Sequence, residues 1–222
     1  MPDSFDIVYR TGKAELTEKK SRFLSFAVPI RSEEDAEQAL SEIRKKYWDA
    51  NHHCYAYSVG ADQATERSSD DREPSGTAGR PILEMIRGQA LHNCLVVVVR
   101  YFGGVLLGTG GLVRAYGGAA KAALENADVL KLYRGEEWKL TTDYSLLGKV
   151  KRIFEDLGLP RPTVEYAENV AFVCYLTPPQ RDAVLKAFIE ITAGKGISDK
   201  IRECTYGFCG DDLITADDPS EK

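Results

Sequence analysis

The chain has 222 residues, 43% of them hydrophobic and 28% charged, proportions that exclude a mostly disordered chain. Apolar runs such as residues 95–99 are strand-sized and exclude a membrane helix, which needs ~20 apolar residues. Net charge is −5, with 18 basic against 18 acidic residues in 1–134 and 11 against 16 in 135–222, which excludes a strongly basic nucleic-acid binder but leaves room for a local basic patch.

The length suits two domains of roughly 100 to 130 residues. The N-terminus lacks the basic and apolar segments of a signal peptide, so a cytoplasmic protein is expected. Five cysteines, an odd number with no Cys-x-x-Cys pair, argue against a disulfide framework and agree with a reducing compartment. Cys54, Cys94 and Cys174 each sit in an apolar run and read as small buried hydrophobes.

Residues 5–10 and 22–29 read as strands. Ser32 is the N-cap of an amphipathic helix running to about Tyr47, with Asp35 closing the first turn and Leu40, Ile43 and Tyr47 on the apolar face. Residues 52–59 form an aromatic-rich strand. Residues 60–79 are polar and without period, the mark of a functional or mobile segment. Pro81 fits the first turn of a short helix ending near Gly88. Residues 95–101 read as a central strand, 103–111 as a glycine-dense loop, and 112–126 as a helix with Thr109 as N-cap. Residues 129–133 close the first domain, and Gly135 marks the boundary, giving domains at 1–134 and 135–210. The second domain reads strand, helix, strand, strand, helix, strand, which is the ferredoxin-like βαββαβ order. Residues 211–222, five acids and one lysine, are expected to be a disordered tail.

Three segments can carry chemistry. Residues 100–118 hold seven glycines in nineteen residues. Glycine permits positive φ and close approach of a ligand to the main chain. Gly103, Gly104, Thr109, Gly110 and Gly111 lead into a helix N-terminus that favours an anion, and Arg100 and Arg114 bracket the loop with charge for a phosphate. The same pattern serves packing, since Gly111, Ala115, Ala119 and Ala122 form a small-residue stripe. In residues 69–81, Asp70, Asp71 and Glu73 offer oxygen ligands to a hard cation, while Ser75, Gly76 and Thr77 can contact a ligand or cap the next helix. The third segment is His52-His53-Cys54. Period-two geometry puts His52 and Cys54 on one strand face and His53 on the other. A zinc site needs two more ligands of no obvious spacing, and no nucleophile has an activating neighbour. No catalytic residue, metal or cofactor is assigned. His52 joins the two loops as a candidate ligand-binding residue.

These segments together resemble the IMPACT family in its bacterial YigZ-like branch. The match runs through Lys20-Ser21-Arg22-Phe23, Ala50-x-His52-x-Cys54-Tyr55-Ala56-Tyr57, Ser69-Asp70-Asp71 and Glu73-Pro74-Ser75-Gly76-Thr77-Ala78-Gly79. It continues in Val99-Arg100-Tyr101-Phe102-Gly103-Gly104 and Leu107-Gly108-x-Gly110-Gly111-Leu112-Val113-Arg114-Ala115-Tyr116. The family pattern has glycine where this chain has Arg72. The resemblance implies an α+β protein: an N-terminal α/β domain similar to the second domain of a small-subunit ribosomal protein, then a ferredoxin-like domain similar to the last domain of elongation factor G. Eukaryotic members resemble regulators of translation. The function expected is a non-enzymatic protein that binds RNA, the ribosome or a translation factor. Arg100, Arg114, Lys121, Lys149, Lys151 and Arg152 are its candidate basic patch. The alternative is an enzyme, metabolite-kinase-like or a hydrolase, holding a phosphate-containing ligand in the glycine-rich cleft, although a complete Walker A sequence is absent.

Overall fold

The computed structural model describes residues 3–210 and 212–215. In chain order the elements are β1 (Ser4–Arg10), β2 (Gly12–Glu18), β3 (Ser21–Pro29), α1 (Glu33–Lys46), β4 (His52–Val59), β5 (Thr65–Ser69), α2 (Gly79–Gly88), β6 (Leu91–His92), β7 (Cys94–Tyr101), α3 (Thr109–Glu125) and β8 (Asp128–Thr142). A 3₁₀ turn (Tyr144–Leu146) follows, then α4 (Leu147–Asp156), β9 (Thr163–Tyr166), β10 (Val170–Leu176), α5 (Pro178–Thr192), β11 (Ile197–Cys209) and β12 (Asp212–Thr215). Packing divides the chain between Leu130 and Lys131, with Asp3 and Ser4 grouped with the second unit.

In the first unit an antiparallel sheet runs β2-β3-β7-β4-β5, with β7 at its centre. β7 is apolar without alternation because helices cover both faces, and a strand buried on both sides gains from apolar groups at every position. Leu95, Val97 and Val99 pack with Leu24, Phe26, Tyr57 and Leu40 of α1. Cys94, Val96 and Val98 pack with Phe23, Cys54, Ile82 of α2 and Tyr116 of α3. Arg100 continues the even register and is thereby carried onto the α3 face. β1 lies outside this sheet and pairs in parallel with β6.

α1 starts as expected. Ser32 Oγ accepts the Asp35 N–H at 3.1 Å and Asp35 returns the contact by accepting the Arg31 N–H at 2.8 Å. Glu33, Glu34 and Asp35 fill the first turn and Arg44, Lys45 and Lys46 the last, each favourable to the helix dipole.

In the second unit the sheet order is β9-β10-β8-β11-β12, with every pair antiparallel. Leaving β12 aside, this is the ferredoxin-like arrangement: the two βαβ halves interleave, so the first and third strands are central. One core joins Leu140, Phe172 and Leu176 of the sheet to Val150 and Phe154 of α4 and Val184 and Phe188 of α5. The α5 entry is held by Gln180, whose side chain accepts the Thr177 N–H at 2.9 Å.

Four expectations change. Residues 60–79 are not structureless, since β5 pairs with β4 within them; its polar sequence fits a sheet-edge strand whose five residues are half-buried or exposed. Thr109 is the first residue of α3 rather than its cap, and Gly108 at φ +72° is the cap. Gly135 lies inside the continuous strand β8, where a Cβ would collide with the Leu176 carbonyl and meet the Tyr206 ring at 2.7 Å. It is a close-approach glycine, and the division by packing falls a little before it, between Leu130 and Lys131. Finally, Asp212–Thr215 form a hairpin with β11, with Leu213 opposite Phe208, so the apolar Leu213 and Ile214 outweigh the acidic composition there. The rest of the expected acidic tail, residue 211 and residues 216–222, lies outside the described residues.

Candidate functional site

The loop between β5 and α2 is organised by Asp70. Its Oδ1 accepts the N–H groups of Ala78 at 2.9 Å and Gly79 at 2.8 Å, and its Oδ2 accepts that of Gly76 at 2.8 Å. Burial alone would raise this carboxyl, but the three N–H donors hold it below its ordinary value. Asp70 therefore caps α2, whose own cap residue Ala78 has no side chain to do so. Its oxygens are engaged by backbone and not available as the cation ligands that the sequence suggested. Asp71 accepts the His53 N–H at 2.6 Å. Thr77 Oγ1 donates back to the Pro74 carbonyl at 2.6 Å. Ser75 is exposed. Asp71 and Arg72 both have positive φ, +39° and +69°. Arg72 thus occupies a left-handed position, which explains why glycine suits it.

The loop delivers Glu73 into the domain interior, where the sequence-predicted residues His52, Glu73 and Arg100 meet. Arg100 Nη1 donates to Glu73 Oε1 at 2.6 Å, and the Tyr116 hydroxyl donates to the same oxygen at 2.7 Å. Arg100 Nη2 reaches Ser21 Oγ at 3.2 Å, and the Phe23 and Phe102 rings each lie 5.4 Å from the guanidinium. The side chains of Arg100 and Glu73 are 5% and 4% exposed, so the pair is a true buried ion pair. Arg100 Nε is buried and finds no partner among the described residues. His52 Nδ1 lies 2.8 Å from the Asp71 carbonyl. A carbonyl only accepts, so Nδ1 carries the proton, and Nε2 faces Glu73 Oε1 at 3.7 Å.

This cluster corrects the reading of Arg100 as a free phosphate ligand. The arginine is neutralised by Glu73 and buried behind two aromatic rings. The sequence reading also missed Ser21, Phe23 and Tyr116. All three lie in the motifs quoted above, but their residue types advertise core packing; Cys54, read as a small buried hydrophobe, is buried here. The Cys54 thiol donates to the Asp70 carbonyl at 3.0 Å, and burial pushes its pKa up to about 12. Tyr116 is likewise pushed up by burial and the adjacent Cys54 and Glu73. Neither is activated as a nucleophile or base. His53 is on the opposite face, as the period-two reading requires. Its Nε2 is 3.0 Å from the Tyr47 carbonyl, and burial pushes its pKa down.

The glycine loop is separate from this chemistry except at its root. Gly103 N–H donates to Ser21 Oγ at 3.2 Å, and a Cβ at Gly103 would fall inside the Lys20 peptide. Positive φ belongs to Gly104 and Gly108, at +79° and +72°. It does not belong to Gly110 or Gly111, which are helical residues of α3; a Cβ at Gly110 would meet nothing within 4 Å. The conformational freedom that glycine offers is therefore not what Gly110 and Gly111 supply here. Thr109, Gly110 and Arg114 are exposed. The buried stripe of α3 is Leu112, Ala115, Tyr116, Ala119, Ala120 and Ala123, not the one through Gly111 and Ala122. Lys121 and Arg152 of the expected basic patch form i,i+4 pairs with Glu125 and Asp156. No helix among the described residues is long and apolar enough to cross a membrane, and none of their His, Cys, Asp and Glu side chains cluster as a metal site.

Residues 19–124 match the Impact N-terminal domain, and residues 140–195 match a domain of unknown function, DUF1949. The IMPACT family member YvyE of Bacillus subtilis is 35% identical over 207 residues, which covers 93% of this chain and 94% of YvyE. The IMPACT family member YigZ of Escherichia coli is 39% identical over 137 residues, 61% of this chain and 67% of that protein. A solved structure described as a hypothetical protein aligns over 91% of this chain and 99% of its own, with 29% identity and a TM-score of 0.59. Both domains and nearly the whole length of a relative are thus accounted for, and the chain belongs to the IMPACT family.

Proposed function

We propose that the protein is a cytoplasmic, non-enzymatic binding protein acting in translation, with RNA, the ribosome or a translation factor as its partner. The observation that carries the non-enzymatic part is the closed polar cluster at the family motif. Glu73 Oε1 accepts from both Arg100 and Tyr116 at 2.6 to 2.7 Å in a buried setting, and the neighbouring Cys54 thiol is held protonated by burial. Groups so engaged shape a domain rather than turn over a substrate. Support for translation comes from the family resemblance of the motif segments and from the ferredoxin-like second domain; since one fold serves many functions, the partner must be measured.

The test is co-sedimentation with ribosomes and with total RNA from lysate at two salt concentrations. Binding at low salt that weakens at high salt is expected, because phosphate contacts release counterions. Absence of binding at low salt overturns the reading. A parallel thermal-shift screen of nucleotides and phosphorylated metabolites, with and without magnesium, is expected to give no specific shift. A large shift followed by turnover would replace this reading with an enzymatic one.

A further inference from the structure

Several basic residues of the first unit are matched by acids: Arg22 by Glu15, Arg67 by Glu33, Arg80 by Glu84 and Arg100 by Glu73. The last turn of α1 gathers three cations without such partners. Arg44, Lys45 and Lys46 follow one another there, all three are exposed, and none pairs with a carboxylate among the described residues. Immediately beyond the helix stands Trp48, 80% exposed. Helical spacing places Ser41, Arg44 and Lys45 on one stripe, and these side chains, with Trp48 just past the helix, line a single surface groove with Leu40 and Tyr55. Tyr55 stacks on Tyr57 at 6.4 Å between ring centroids with 9° between planes. Glu37 closes the far end of the groove, toward the acidic start of the helix.

We propose that this groove binds single-stranded RNA, with an unpaired base stacked on Trp48 and adjacent phosphates held by Arg44 and Lys45. The proposal rests on the reading of the protein as an RNA-handling binder and gives that reading a surface. Basic residues in a last helical turn also complement the helix dipole, which accounts for the charges alone. It does not account for an indole left in water beside them. An open aromatic face with flanking cations is the combination that single-stranded nucleic acid requires, because every base presents a π-face and every nucleotide a phosphate. The groove has one aliphatic side chain, Leu40, which is itself buried, so its exposed apolar surface is mainly that of the two aromatic rings. A duplex keeps its bases stacked inside and cannot use the indole.

The test is a titration of the full chain with a fluorescent 12-nucleotide oligouridylate at two salt concentrations. It is followed by anisotropy and by tryptophan emission, to which Trp48 and Trp138 contribute. Salt-sensitive binding with quenching is expected. Trp48→Ala is expected to weaken binding about tenfold or more. Arg44→Gln with Lys45→Gln is expected to lower the salt dependence by about two phosphate contacts. Lys186→Gln with Lys195→Gln, exposed in the second unit, serves as the control and is expected to bind as the parent does. These side chains are exposed, and an unchanged melting temperature confirms the fold. No binding of the oligonucleotide, equal binding of a 12-base-pair duplex, or parent-like binding by Trp48→Ala overturns the proposal. If ribosome co-sedimentation persists in those cases, the groove is wrong and the broader function stands; if that also is absent, both fall.

Discussion

Glu73 is the residue on which the first domain's interior depends. It is the counter-ion of a guanidinium that is 5% exposed. Taking one partner from a buried pair strands the other charge in a medium that cannot solvate it. Glu73→Gln keeps the shape and loses the charge, and is expected to destabilise the first domain by about 3–5 kcal/mol in urea unfolding. Replacing both partners, as in Glu73→Leu with Arg100→Leu, is expected to cost less than the two single changes summed, since no orphan charge remains. Additive costs would show that the pair is not coupled. Glu136 acts in the second domain. Lys200 beside it, with Trp138 and Arg181, outweighs burial and holds its carboxyl down at about 2. Because the folded value is lowered, the stabilisation is complete above the ordinary value of 4.5 and is lost as pH falls toward 2. The stability difference between the parent and Glu136→Gln is therefore expected to shrink over that window; a difference that does not change with pH would contradict it.

At the scale of elements, the two loops differ in what their backbone requires. Gly108 holds φ +72° and ψ 166° as the cap of α3, a region nearly closed to other residues. Gly110 is helical and faces open space. Gly108→Ala is thus expected to lower stability by about 1–3 kcal/mol, whereas Gly110→Ala is expected to raise it by about 0.4–1 kcal/mol through helix propensity and reduced unfolded-state entropy. Thermal or urea unfolding reads the opposite signs directly. Arg72 is the converse case, a side chain at φ +69°. Arg72→Gly is expected to stabilise by up to about 1 kcal/mol, the left-handed strain relieved less the added entropy of the unfolded glycine. A loss of stability would mean that the weak Arg72 contacts to Asp71 and the Asn51 carbonyl matter more than the backbone.

At the scale of the molecule, each unit has its own core, one joining Val96 and Val98 to α2 and α3 and another joining Phe172 and Leu176 to α4 and α5. A fragment of residues 131–215 retains every strand of the ferredoxin-like sheet and both its helices. It is expected to unfold cooperatively by itself, and a non-cooperative transition would show that it borrows stability from the rest of the chain. Local chemistry determined much of this architecture. The Ser32 cap, the apolar run of β7 and the strand and helix segments of the second domain were legible because each depends on neighbours close in sequence. The split βαβ order followed from them. The segment motifs likewise marked where His52, Glu73 and Arg100 lie. What those residues do was decided only by tertiary structure. Strand parity aims Arg100 inward, and the β5–α2 loop brings Glu73 from 27 residues away to meet it. A charge expected to hold phosphate becomes half of a buried pair. Likewise the basic end of α1 acquires meaning only when folding leaves Trp48 in water beside Tyr55. Pairing across long sequence separations sets burial, and burial, which no local pattern encodes, decides whether a charged side chain is a ligand or a strut.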